Sequence, residues 1–263
     1  ALTMLPESLG QLAALTTLDL SGCTSLTVLP ESVGQLAALT TLNLDYCRRL
    51  LSGLPQSMCT MLPTRLSFFG DQSLTVLPES VGQLAALTTL DLSTCAALTV
   101  LPESMGQLAA LTTLNLTYCW ALTMLPESVG QLTALTTLDL SYSRALTMLP
   151  ESLGQLAALT TLDLRNCSTL TVLPESVGQL AALTTLILIG CDALPRAACD
   201  WTQASPSANE RFVQFRRREL LLVALGRRRH VRARYHLPPE LWHLIDALLW
   251  QSQPERPYPS LVQ

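Results

Sequence analysis

With 263 residues, 49% of them apolar and 14% charged, the chain has apolar matter for one large core or two, which excludes a disordered chain. All 16 basic residues are arginine, and the three histidines (His230, His236, His243) lie near the C-terminus; a Walker-type phosphate loop, a Schiff-base lysine and, over the first 194 residues, a histidine base are therefore excluded. The net charge of −4 hides an acidic body and a basic tail: residues 1–194 hold 5 arginines against 14 acids, −9, and residues 195–263 hold 11 arginines against 6 acids, +5,.

Self-comparison sets the architecture. Copies of one 24-residue string begin at Leu2, Leu26, Leu74, Leu98, Leu122, Leu146 and Leu170, and a degenerate copy fills 50–73, so that eight copies cover 2–193. In the first copy, Thr16–Leu20 reads TTLDL. The alternation sets Leu18 and Leu20 on one side of a short strand and Thr17 and Asp19 on the other. One such strand cannot bury its leucines. Stacking copies about 4.8 Å apart builds a parallel sheet over a continuous aliphatic core. The return arm PESxGQL is expected to form a short helical or 3₁₀ turn after Pro6 and its equivalents, with Gly10 and its equivalents permitting a tight turn before Leu12.

The pattern LxxLxLxxCxxLxxLP, in the first copy Leu15, Leu18, Leu20, Cys23, Leu26, Leu29 and Pro30, resembles the leucine-rich repeat family. Its length and its CxxLxxLPES continuation are most similar to intracellular plant repeats, such as those of TIR-class disease-resistance receptors. The resemblance implies an α/β solenoid: a horseshoe with a parallel concave sheet, followed here by a C-terminal helical segment. It implies a recognition or signalling role, but the nucleotide-binding module of such receptors is absent from the sequence.

The third copy keeps two inward positions, Leu66 and Phe68, puts Asp71 at the cysteine position and Pro63 at a core leucine, and should be distorted, with Phe69 at the surface. Six of the eight cysteines follow the repeat (Cys23, Cys47, Cys95, Cys119, Cys167, Cys191), while Cys59 and Cys199 do not. Periodic thiols one coil apart are read as a column capping backbone carbonyls, with Ser143 in one gap. Free thiols imply a reducing compartment, hence a cytoplasmic protein. No metal spacing is present and no cofactor is implied.

Substitutions among the copies cluster at the strand exit. Aligned with Gly22 are Tyr46, Gly70, Thr94, Tyr118, Tyr142, Asn166 and Gly190. Tyr46, Arg48 and Arg49 form one group, and Tyr118, Trp120, Tyr142 and Arg144 another; Tyr, Trp and Arg carry binding energy at interfaces. With Arg165 they define an expected partner-binding rim, the competing reading being neutral variation at exposed sites. A second column runs through Asp19, Asn43, Ser67, Asp91, Asn115, Asp139 and Asp163. On an open sheet without a cleft it reads as an acidic interaction surface suited to a basic partner, not as glycosidase carboxylates. Glu7, Glu31 and their equivalents read as a solvated ridge. No small-molecule substrate and no enzymatic activity are expected.

The domain reading is 1–200 for the repeats with a C-terminal cap, 201–209 for a linker and 210–263 for a basic helical tail. Ser207 is placed to cap a helix over 208–225, bracketed by Arg216–Arg218 and Arg227–Arg229. The arginines have competing uses: docking on the acidic body, contacting nucleic acid or a membrane surface, or signalling nuclear import. The segment LPPELWHLI (237–245) resembles the first helix of an F-box, which implies the alternative of a ubiquitin-ligase substrate receptor; the competing reading is a packing helix. No run of about 18 apolar residues predicts a membrane span.

Overall fold

The structure is a computed structural model, and it describes residues 2–50, 55, 57, 63–194 and the strand Leu221–Leu222. The chain divides into two compact units, Ala1–Gly226 and Arg227–Gln263; the second lies wholly outside the described residues, and with it the F-box-like segment. Cys59, Cys199 and most of the expected linker and tail lie outside them too.

Each repeat contributes a three-residue strand: β1 (Thr17–Asp19), β2 (Thr41–Asn43), β3 (Arg65–Ser67), β4 (Thr89–Asp91), β5 (Thr113–Asn115), β6 (Thr137–Asp139), β7 (Thr161–Asp163) and β8 (Thr185–Ile187). They pair in parallel in sequence order, and each residue faces its equivalent 24 positions on, as Leu114 faces Leu138. Leu221 and Leu222, expected within a helix, instead form a two-residue strand, β9 (Leu221–Leu222), parallel to β8. The central leucine of each strand from β2 to β8 is buried. Burying such a side chain contributes about 1.5–3 kcal/mol before the entropy of ordering is charged against it.

The return arm is a 3₁₀ turn in every regular copy, from Glu7–Gln11 to Glu175–Gln179. The proline before each has the fixed φ and extended ψ that lead into the turn (Pro30, −66° and 150°), and it loses nothing by lacking an N–H there. The turn then closes by a three-residue bond, Val33 N–H to Pro30 O at 3.1 Å.

The glycines of PESxGQL do another job than the tight turn expected of them. None has a positive φ; a methyl placed on Gly106 would lie 2.6 Å from Gln131 Oε1 and 2.8 Å from Ser128 O of the next coil. Glycine is required because the backs of adjacent coils touch.

The glutamate row is exposed, as expected of a solvated ridge, but it also bonds coil to coil. Glu7 Oε2 accepts from the Ser32 N–H at 3.1 Å, and Glu79, Glu103, Glu127 and Glu151 repeat the bond to Ser104, Ser128, Ser152 and Ser176. Each carboxylate caps an otherwise orphaned donor at the start of the next coil's turn.

The first threonine of each pair makes a third ladder. Thr112 Oγ1 donates to Thr88 O at 2.9 Å, and the Thr112 and Thr113 N–H groups reach the same carbonyl; the pattern runs from Thr16 to Thr184. The third copy joins this ladder through Thr64, and β3 holds register with both neighbours. The expected distortion therefore does not reach the strand. Leu66 and Phe68 point inward as expected, and Phe69 is half-exposed.

Candidate functional site

The strand exit is where the copies differ, and it has a conformation that the sequence reading did not assign. Every residue aligned with Gly22 has a left-handed backbone: φ is 72–78° at Gly22, Gly70 and Gly190, and 56–63° at Tyr46, Thr94, Tyr118, Tyr142 and Asn166. The signal was present in the column itself, which holds three glycines and an asparagine, the residues that adopt this region readily. A side chain with a Cβ costs about 1–2 kcal/mol there, so three tyrosines and a threonine are the exceptions to explain.

The acidic column explains the turn's closure. Asp91 Oδ1 accepts from the Ser93 N–H (2.9 Å) and hydroxyl (2.6 Å). Asp19, Asn43, Asn115, Asp139 and Asp163 likewise accept from the N–H two residues on. This is why Asp and Asn alternate freely: the turn needs an oxygen, not a charge. In the third copy, Ser67 lacks that reach, and Asp45 of the preceding coil serves instead, accepting from the Ser67 hydroxyl and from the Phe69 N–H.

The predicted site residues separate into two aromatic groups and one ion pair. Tyr118 and Tyr142 stack with centroids 4.4 Å apart and planes at 19°, and Trp120 meets Tyr118 edge-on at 6.4 Å. Trp120 is 53% exposed, and Arg144 in the next coil is exposed. At the other end, Tyr46 meets Phe69 edge-on at 5.3 Å beside exposed Arg48 and Arg49; Phe69 was not among the predicted site residues. Arg165 is turned to its own coil: its Nη2 lies 2.5 Å from Asp163 Oδ2 and its Nε 2.9 Å from the same oxygen. That bonding raises the guanidinium above its ordinary pKa. Asp163 is buried under it, whereas Asp91 and Asp139 stay half-exposed.

Behind the rim runs the expected thiol column. Cys47, Cys95, Cys119, Cys167 and Cys191 donate at 2.9–3.3 Å to the carbonyls of Leu20, Phe68, Leu92, Leu140 and Leu164, and Ser143 donates to Leu116 O. All six cysteines among the described residues are free. Burial pushes the thiols of Cys47 and Cys191 up to about 11 and those of Cys119 and Cys167 to about 12.

Residues 83–172 match the leucine-rich repeats described as disease resistance protein RPS4B-like, and residues 14–36 match the general leucine-rich repeat. No curated protein matches the chain. Among solved structures, the leucine-rich repeat domain of the type III effector XopL is 26% identical over 73% of this chain and 66% of that one, with a TM-score of 0.47. Internalin C2 from Listeria monocytogenes is 20% identical over 65% of this chain and 71% of that one, at 0.45. The Arabidopsis receptor kinase HAESA, solved with a peptide hormone and a co-receptor, is 20% identical over 65% of this chain and 37% of that one, at 0.40. The chain thus spans just under two thirds of the first of these structures and little over a third of the last. Residues 14–36 and 83–172 are thus leucine-rich repeats, and the second stretch resembles the repeats of plant disease-resistance receptors.

Proposed function

We propose that the chain is a non-enzymatic recognition module that binds a protein partner on the rim and concave face of its solenoid. The observation that carries this is the stack of Tyr118 on Tyr142 with half-exposed Trp120 beside it. Both tyrosines occupy left-handed positions that three other copies give to glycine and one to asparagine. Backbone strain held in place by aromatic side chains that face solvent points to use, because stability alone favours Gly or Asn there. Trp120, Tyr118, Tyr142 and Arg144 are the centre of the contact, and Tyr46, Arg48 and Arg49 a second anchor. Asp91 and Asp139 lend the face between them its acidic character and favour a partner with basic residues. The pre-formed sheet presents these groups with little ordering cost.

The likeness of residues 83–172 to disease-resistance repeats supports an immune-type recognition role. The column of free thiols supports a reducing, cytoplasmic setting,.

The test is affinity capture with the full chain, the Trp120→Ala variant and the Tyr142→Asn variant. Asparagine keeps the left-handed backbone, as Asn166 does, so the fold is retained. The variants should lose partners that the wild type captures while melting at the same temperature within a few degrees. Capture of every partner unchanged would remove the rim assignment.

A further inference from the structure

A second surface stands apart from the rim. On the returning arm the fourth to eighth copies each expose one apolar side chain: Val76, Val100, Met124, Met148 and Val172, 39–49% accessible. The column resumes at Val28, 43% accessible. Beneath it the coils are held in parallel register. Val76 bridges Val100, and the Thr99, Thr123, Thr147 and Thr171 N–H groups each bond the threonine carbonyl one coil back at 3.0–3.4 Å. The five side chains therefore line up as an unbroken stripe with one apolar group every 4.8 Å or so.

Residues at the strand exit vary from glycine to tryptophan between copies, yet in the seven regular copies this column holds only valine and methionine. Strand propensity accounts for the valines but not for the methionines. A contiguous exposed apolar stripe marks a contact surface.

We propose that two copies of this chain associate through this stripe, antiparallel, about a twofold axis. The period is the first argument. A ridge repeating at the coil spacing is met best by a ridge of equal period, and a second copy supplies one. In a twofold contact the same residues face one another and the methionines adapt to the gaps. Area is the second. With its threonine margins the stripe offers on the order of 500 Å² a side, so that two facing stripes bury the roughly 1,000 Å² a specific interface needs. Charge removes one alternative. Residues 1–194 carry −9, and the exposed row from Glu79 to Glu175 flanks the stripe, which disfavours an anionic lipid surface. It also makes the two copies repel at low salt, so screening strengthens their association.

Sedimentation velocity on the full chain over a range of concentrations and salt tests this. The wild type should pass from monomer to dimer as concentration rises, at lower concentration in high salt. A variant carrying Val76→Thr, Val100→Thr, Met124→Gln and Met148→Gln should stay monomeric with an unchanged circular dichroism spectrum. If that variant does not fold, Val100→Thr alone keeps the β-branched shape and should raise the dimer dissociation constant about tenfold over its two symmetric sites. A wild type monomeric throughout overturns the proposal, as do a dimer that dissociates in high salt and a dimer undiminished in the variants. Binding to neutral phosphatidylcholine vesicles without self-association would assign the stripe to lipid and overturn it as well.

Discussion

Asp71 occupies a thiol position without being able to do a thiol's work. Its neighbours in the column donate to a carbonyl one coil back; Asp71 Oδ1 instead accepts from the Ser73 N–H and hydroxyl, and Oδ2 is buried with no hydrogen-bond partner among the described residues. An unmatched buried oxygen costs about 1–3 kcal/mol. Asp71→Ser, which copies the arrangement at Ser143, should therefore stabilise the protein by about 1–3 kcal/mol in urea denaturation. The periodic cysteines were legible as a capping column because spacing alone puts them one coil apart. The unmatched oxygen was not legible, since whether an acid can turn to a local donor depends on the turn that carries it. The thiols themselves make a prediction about alkali. Burial holds those of Cys119 and Cys167 at about 12 in the folded chain, against an ordinary value of 9.0, so the unfolded chain ionises first. Stability is intact below about pH 9 and falls as pH rises from there toward the folded values. The denaturation midpoint followed from about pH 8 to about pH 11 should show this, and Cys119→Ser should lessen the decline.

A single coil is held to its neighbours by contacts that its own sequence hides. Strand, 3₁₀ turn and inward leucines follow from alternation and proline, which act within one copy. The glycine and the glutamate of PESxGQL act between copies, and their near-invariance was the available signal. Gly130→Ala should cost at least about 1–3 kcal/mol, the range for overpacking, because the added methyl meets Ser152 Cβ at 2.7 Å; the comparison to make is chemical denaturation beside Gly22→Ala, where no atom lies within 4 Å and only the positive φ of 72° is strained. Equal costs at the two positions would show that coil contact is not what requires Gly130. The left-handed column was legible in part: glycine and asparagine recur in it, but the tyrosines drew the reading toward binding before backbone.

Across the whole array, burial is graded. Leu138 is fully buried between coils, whereas Leu18 in the first coil packs on one side only and is half-buried. Leu138→Ala should cost about 2–5 kcal/mol and Leu18→Ala distinctly less, and amide exchange should be slowest in β4 to β6 and fastest in β1. Repetition made the solenoid legible at once. It said nothing of Leu221 and Leu222, which lie outside the repeats and owe their strand to the edge of β8, not to any local pattern. The threonine ladder has a further consequence for how such a chain changes over time. Its bonds join each residue to its counterpart one copy away, so removing or duplicating a complete unit leaves every surviving partner in place, while slipping by one residue misaligns everything downstream. The third copy, where an extra residue near Leu51 is balanced by a loss before Leu66, marks the permitted exception. Inheritance can lengthen or trim this molecule only in whole steps.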